Sequence, residues 1–255
     1  MALYNARGIV LRNRGLGEAD RIITLFTREE GKVEAVARGA RRPRSRLAGT
    51  TQPFTLGSFQ LFRGKGLDSI SQCQVEEGFS ALRDDLTRMA YASYACELAE
   101  SLTTERDPNE ELFLILSGTL HLCAAGDDLP LVARLFELRA LAATGYQPAV
   151  DHCAACGGPL PDEAQLRFAV AQGGVLCPGC AGGEVSGPML SISRGTLETM
   201  RRLLTVDLRR ALMLKPDAAT RAEMEAVLAE YIGWRLERRL KSREFLSLIN
   251  DQQTV

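Results

Sequence analysis

The chain has 255 residues, a formal net charge of -1 and 45% hydrophobic and 25% charged residues, which is typical of an ordinary globular protein. No apolar run approaches the roughly 18 residues of a membrane helix, and the N-terminus lacks a signal-peptide pattern, so we expect a cytoplasmic protein with no membrane partner. Seven cysteines in such a chain favour metal binding over a secreted disulfide scaffold.

Residues 1–80 are predicted to form a small β-barrel. Short runs with β-branched residues alternate there with polar or glycine-bearing turns. The predicted strands are residues 8–14, 21–27, 32–40, 54–63 and 67–77. Five short strands joined by tight turns indicate an OB-fold, and an SH3-like barrel is the alternative that strand number alone does not exclude.

Positive charge is densest in the segment ARGARRPRSRL, residues 37–47, which we interpret as a strand end entering a flexible loop. Residues 1–66 hold 11 arginines and 2 lysines against 5 acidic residues, a net charge of +8, so residues 67–255 carry -9. Because arginine offers planar donors to phosphate oxygens, this asymmetry predicts nucleic-acid binding rather than a merely solvated loop. The predicted contacts are Arg38, Arg41, Arg42, Arg44 and Arg46, together with Arg12 and Arg14 on a preceding strand.

Three phenylalanines of the same region allow two interpretations. Phe54, Phe59 and Phe62 either offer ring faces on which bases stack, as in proteins that bind single strands, or belong to the barrel core. Since phenylalanine is among the residues most often buried, the core is the favoured interpretation.

The pattern becomes helical from about residue 81. Predicted helices cover residues 81–102, 109–126, 128–146 and 193–205, and residues 219–249 form one long helix or two. Asn109 and Asp128 are helix-start signals, and Gly126 and Gly145 are helix-stop signals. Wide apolar faces on these segments indicate the core of a helical bundle.

Two Cys-x2-Cys pairs interrupt the helical pattern within residues 152–180. The candidate ligands are Cys153, Cys156, Cys177 and Cys180. Two such knuckles can enclose one tetrahedral ion, and four sulfurs at about 2.3 Å suit zinc, so we predict one structural zinc. His152 in place of one thiolate, unliganded cysteines and a redox pair are the alternatives.

Enzymatic activity has no support in the sequence. We find no phosphate-binding loop, no G-x-S-x-G motif and no paired-carboxylate pattern, and the chain has only two histidines, so no catalytic residue is predicted. The closed four-sulfur shell argues against a zinc-containing enzyme, because it leaves no open coordination position. An RNA-binding or ribosome-associated adaptor remains the rival to a DNA-binding protein, since an OB-fold can bind either backbone.

Three stretches of the chain resemble the bacterial recombination mediator RecO family. They are GIVLRNRGLGEADRIITLFTREEGKVEAVARGARRPRSRL near the N-terminus, LFELRALAATGYQPAVDHCAACG in the middle and RRLKSREFL near the end. The resemblance implies an α+β architecture with an N-terminal OB-fold (residues 1–80), a helical domain (81–151 and 181–255) and an inserted four-cysteine zinc module (152–180).

The same resemblance implies a function in the RecF pathway of DNA repair. It implies binding to single- and double-stranded DNA, annealing of complementary strands and loading of recombinase together with RecR. Contact with single-strand-binding protein through its acidic tail, and a nucleoid-associated place in the cytoplasm, are implied as well. The residues that contact RecR and that tail are not assigned by the resemblance.

Overall fold

The structure is a computed structural model that describes residues 2–126, 128–161 and 166–253. The chain divides into two compact units, Met1–Asp127 with Lys241–Val255 and Asp128–Leu240. Residues 162–165 of the predicted cysteine module and 254–255 of the predicted helical domain lie outside the described residues.

The first unit begins with a closed five-stranded barrel of order β1-β2-β3-β5-β4. Its strands are β1 (Leu3–Leu16), β2 (Asp20–Thr27), β3 (Gly31–Ala37), β4 (Leu56–Phe62) and β5 (Asp68–Glu77). β3 and β5 pair in parallel, and the other neighbouring strands pair antiparallel. This is the arrangement of an OB-fold, so the predicted fold is confirmed.

Strand β3 shows how the sequence produces the barrel. Val33, Ala35 and Ala37 are buried and alternate with partly exposed neighbours, the period-2 pattern of a strand with one buried face. These three residues pack in the barrel core with Val10, Ile23, Leu25, Phe59, Leu61 and Ile70. The strand ends three residues before the predicted end, because Gly39 has a φ of +68° and its N–H donates a hydrogen bond to Asp20 at 2.7 Å, which turns the chain.

The helices of the described residues are α1 (Arg46–Thr50), α2 (Ser80–Arg83), α3 (Leu86–Leu102), α4 (Glu110–Ala125), α5 (Leu129–Ala143), α6 (Pro178–Ala181), α7 (Arg194–Thr205), α8 (Leu208–Ala211), α9 (Ala218–Leu236) and α10 (Lys241–Gln253). None of them is both long enough and apolar enough to cross a lipid bilayer.

Local capping decides where several of these helices begin and end. The Asn109 side chain accepts a hydrogen bond from the Leu112 amide at 2.9 Å, and Gly126 ends α4 with a φ of +79°, so both predicted signals are confirmed. The single helix predicted at 81–102 is instead two helices. Asp85 lies in extended backbone and caps α3 by accepting from the Arg88 amide, which separates α3 from α2.

The second unit combines packed helices with a small sheet. Helices α5, α7 and α9 contact one another, and Asp128 caps the first of them. The sheet has the order β7-β6-β8 and consists of β6 (Leu166–Ala169), β7 (Gly174–Leu176) and β8 (Met189–Ile192). These strands have only three or four residues each, which is too short for a periodic sequence pattern to predict the sheet.

The long helical segment at 219–249 is two helices, α9 and α10. Glu237 takes a left-handed conformation, with a φ of +51°, where α9 ends. The Glu97 carboxylate, on α3 of the first unit, accepts hydrogen bonds from the amides of Lys241 and Ser242 at 3.2 Å and 2.8 Å. A carboxylate from a distant helix thus caps the start of α10, a contact that the local sequence does not reveal.

Candidate metal centre and nucleic-acid interface

The four cysteines predicted as ligands come together in the second unit. All their sulfurs lie within 4.8 Å of one another, and the sulfurs of Cys156 and Cys177 are 3.9 Å apart. Four sulfurs placed tetrahedrally 2.3 Å from a zinc ion are separated by roughly 3.8 Å. The cluster therefore fits one ion of that size after a small contraction, and the exposed His152 is not part of the group.

Two short turns hold the cysteines in this arrangement. In the first, Gly157 has a φ of +70° and its N–H donates to the carbonyl of Cys153 at 2.9 Å. The amide of Ala154 donates to the carbonyl of Val175 at 2.8 Å, which fixes this turn to β7. The second turn follows β7 directly, since Cys177 precedes α6 and Cys180 lies within it. The β6–β7 hairpin thus brings together two cysteine pairs that are distant in sequence.

The environment of Cys153 favours its thiolate, which is the metal-binding form. Its burial opposes ionisation, but backbone N–H donors at Cys156, Cys177 and Ala155 outweigh burial and lower the pKa of Cys153 to about 6. The Cys177 amide is 3.3 Å from the Cys153 sulfur. The pKa of Cys180 rises to about 12 because it shares hydrogen bonds with the other three sulfurs. A bound cation would take the place of these sulfur–sulfur hydrogen bonds and bind the thiolate forms.

The five arginines of residues 37–47 lie on the first unit, at the turn after β3 and the start of α1. All five side chains are exposed, and within the described part of the chain none has a carboxylate at ion-pair distance. Arg41 donates a hydrogen bond to the carbonyl of Gly17 at 2.7 Å, which ties the segment to the β1–β2 turn. Five positive charges without acidic partners form an anion-attracting surface, here named the arginine segment.

Arg12 and Arg14, the two predicted strand contacts, have a different environment. Arg12 pairs with Glu100 at 2.9 Å and with Glu34 at 3.4 Å, and the hydrogen bonds to Glu100 raise its pKa. Arg14 pairs with Glu34 at 3.1 Å. An incoming anion must compete with these carboxylates, so both arginines are less available to an anion than the arginine segment is.

A cleft of about 550 Å³ borders the arginine segment. It is lined by Leu16, Asp20, Val36, Arg38, Phe62, Gly64, Leu67, Asp68 and Ser69. Phe54 and Phe59 are buried, as the core interpretation expects, whereas Phe62 is 38% exposed and is the one ring of the three that remains a candidate for base stacking. The alternation of inward and outward residues along β4 could have distinguished Phe62 from the buried rings. Phe62 faces the opposite side of β4 from Leu61, so solvent can reach it.

Asp68 anchors the loop at one edge of this cleft. Its carboxylate accepts hydrogen bonds from the Gly64 amide at 2.9 Å, from Arg106 at 2.7 Å and from the Tyr4 hydroxyl. Burial would raise the pKa of Asp68, but these hydrogen bonds outweigh burial and lower the pKa below its ordinary value. Burial and the bond to Asp68 raise the pKa of Tyr4 to about 12. The carboxylate thereby fixes the loop that places Leu67 beside the cleft.

Replacing Asp68 with Asn is expected to lower the free energy of unfolding at pH 7 by roughly 2 kcal/mol, because an amide loses the charge-assisted hydrogen bonds. A carboxyl group with a lowered folded pKa stabilises the protein above its unfolded pKa of about 4, and this contribution is lost as the pH falls through the folded pKa. The stability difference between the native protein and Asp68→Asn should therefore shrink in acid, as measured by urea unfolding across pH.

The control for this experiment is Glu76→Gln, since Glu76 forms an exposed pair with Arg7 that is worth less than about 1 kcal/mol. If the free energy of unfolding of Asp68→Asn differs from that of the native protein by the same amount at neutral and acidic pH, the assigned role of the carboxylate is contradicted.

Comparison with known proteins matches both parts of the chain to one family. A family model described as Recombination protein O N terminal matches residues 1–79, and a second, described as Recombination protein O C terminal, matches residues 83–244. A protein named DNA repair protein RecO from Symbiobacterium thermophilum is 49% identical over 251 residues, which are 98% of each chain. Proteins of the same name from Pelotomaculum thermopropionicum and Anaeromyxobacter sp. (strain K) are 42% and 43% identical, and they cover 96% and 95% of this chain and 94% and 95% of their own.

Proposed function

The chain belongs to the recombination protein O family of DNA repair proteins, and we propose that it binds single- and double-stranded DNA and anneals complementary strands. The observation that supports this most directly is the arginine segment, whose five exposed guanidinium groups have no carboxylate partner among the described residues. Such a surface suits the phosphate backbone, which both forms of DNA present.

The first step in this proposal is neutralisation of the DNA backbone. Arg38, Arg41, Arg42, Arg44 and Arg46 contact phosphates, and Arg12 and Arg14 assist where a phosphate displaces Glu34 or Glu100. On a single strand, an unstacked base lies against the exposed ring of Phe62 in the cleft beside Arg38. Two strands whose charge is neutralised can approach each other, and base pairing then supplies the free energy of annealing.

The cysteine cluster has a structural part in this function. Cys153, Cys156, Cys177 and Cys180 hold one zinc ion, whose binding energy stabilises a module that is small and rich in glycine. Four protein sulfurs complete the tetrahedral shell, so the ion is assigned no catalytic role. The protein is accordingly proposed to be a mediator and not an enzyme.

The mediator acts in the RecF pathway, in the nucleoid of the cytoplasm. It works with RecR to load recombinase on single-stranded DNA, and it engages single-strand-binding protein through that protein's acidic tail. These partners are proposed from the family resemblance, and the names of the relatives, DNA repair protein RecO, support a role in repair. The DNA-binding surface of the barrel is the part of this proposal that the residues themselves support.

Annealing of complementary DNA strands is expected to proceed at the same rate with and without ATP, since no phosphate-binding loop occurs in the sequence. A fluorescence assay of strand annealing measures this, with unlabelled RNA and duplex DNA as competitors across a salt series. RNA that competes better than single-stranded DNA would favour the RNA-binding alternative. An absolute requirement for ATP would mean that the mechanism needs an active site absent from this proposal.

A further inference from the structure

Arg235 in the second unit is a cation that lies against two aromatic rings. It lies in the last turn of α9, and its guanidinium carbon is 5.0 Å from the centroid of the Tyr231 ring and 5.9 Å from that of Tyr146. Among the residues described by the structure, no carboxylate lies at ion-pair distance from Arg235, and its buried Nε atom has no hydrogen-bond partner. A positive charge is thus held between two rings without a negative counterpart.

The surroundings fix this guanidinium in place. The Tyr231 hydroxyl donates to the carbonyl of Tyr146 at 2.9 Å, and the ring of Phe168 meets the Tyr231 ring edge-on at 5.5 Å. Gly173 lies at the turn of the β6–β7 hairpin, where a Cβ atom would be only 2.5 Å from Nη2 of Arg235. The absence of a side chain at Gly173 therefore leaves the space that the guanidinium occupies. A charge that is already positioned loses little conformational entropy on binding an anion.

Exposed aromatic rings lie beside this charge. Trp234 is 46% exposed and Tyr146 is 42% exposed. A Cβ atom at Gly187 would lie 3.2 Å from the Trp234 ring and 3.3 Å from the Cβ of Ala171, so Gly187 lies close to both the indole and the hairpin turn that borders Arg235. Single-stranded nucleic acids stack their bases on exposed planar rings and bind neighbouring cations through their phosphates.

We propose that Trp234, Arg235 and Tyr146 form a second contact for single-stranded DNA, in which a base stacks on an exposed ring and the adjoining phosphate binds Arg235. The inference rests on the proposed annealing function, which requires two strands to be held, and it places one contact on each compact unit. A strand is favoured over an acidic peptide because the site pairs one cation with exposed rings, and a strand likewise presents one phosphate per base.

Trp234 is the only tryptophan of the chain and therefore reports directly on this site. Titration with an unlabelled thymidine oligonucleotide is expected to quench the intrinsic tryptophan fluorescence with saturation. Arg235→Gln should weaken this quenching, and Trp234→Ala should lower the affinity for the oligonucleotide by about tenfold in an anisotropy assay. Thermal unfolding confirms that each variant is folded, and the exposed position of Trp234 makes Trp234→Ala the safer variant.

The variant in which Arg41, Arg42 and Arg44 are all replaced with alanine separates this site from the arginine segment. It should retain saturable quenching, shifted to higher oligonucleotide concentration. Oligonucleotide binding by anisotropy without any fluorescence change would overturn the second contact and leave the proposed function intact. Absence of binding in both assays would overturn the proposed function itself. Quenching by an acidic peptide but not by the oligonucleotide would assign the site to a protein partner and overturn the inference.

Discussion

Replacing Cys177 with serine is expected to abolish zinc binding and to unfold the region around the β6–β7 hairpin, while the barrel keeps its structure. The sulfurs of all four cysteines lie within 4.8 Å of one another, so loss of one leaves an incomplete tetrahedral shell. Zinc in small structural sites contributes about 10–16 kcal/mol of apparent binding free energy at neutral pH, and this energy is folding energy for the module. The barrel belongs to the other compact unit and has its own core.

Metal analysis of the purified protein measures zinc per chain, and hydrogen exchange measures the local loss of protection. Cys73→Ser is the matched control, because Cys73 lies on β5 and its sulfur contacts the Thr50 carbonyl rather than the cluster. One zinc per chain is expected in the native protein and in this control. A native protein without zinc, or full retention of zinc in Cys177→Ser, would disprove the assignment of the ligands.

The second large effect is expected for the arginine segment. Replacing Arg41, Arg42 and Arg44 with alanine should flatten the dependence of log K on log salt for single-stranded DNA by about 2 units, because each phosphate contact contributes a slope of roughly -0.7. Affinity should fall alike for all sequences, since phosphate contacts carry no base information. All three side chains are exposed, so the fold should survive, and circular dichroism tests this.

A matched control removes the same charge from arginines of the same barrel that do have acidic partners. Arg7, Arg28 and Arg63 pair with Glu76, Glu110 and Glu30, respectively. Their triple alanine variant should change the salt slope much less than the arginine-segment variant does. An unchanged slope in the folded arginine-segment variant would show that these arginines face a protein partner or solvent, and the DNA path would then lie elsewhere.

Features that depend on residues close together in sequence could be predicted from the sequence itself. The two Cys-x2-Cys pairs and Gly157 specify their turns locally, and the structure brings the four sulfurs together as expected. Asn109 and Gly126 mark the ends of α4 because capping involves only the adjacent turn of backbone. A small barrel could be predicted from five short strands, since the alternation of buried residues along each strand specifies the face that turns inward.

Other boundaries depended on contacts between distant residues. The start of α10 is capped by Glu97, which is more than 140 residues earlier in the chain. The cleft beside the arginine segment combines Leu16 and Phe62 with the loop held by Asp68, and these residues come from three different strands. No window of local sequence contains these groups together, so neither the cap nor the cleft could be predicted from periodicity.

The distribution of charge is the clearest example of what the sequence specifies and what only the tertiary structure specifies. The sequence by itself determined that positive charge concentrates in residues 1–66, because a count of ionisable residues needs no coordinates. Only the tertiary structure decided which arginines have acidic partners: Arg12 is paired with Glu100 across 88 residues of chain, whereas the arginine segment has no such partner among the residues described. The physical reason is that electrostatic interaction depends on distance in space, and folding brings together charges that are far apart in sequence.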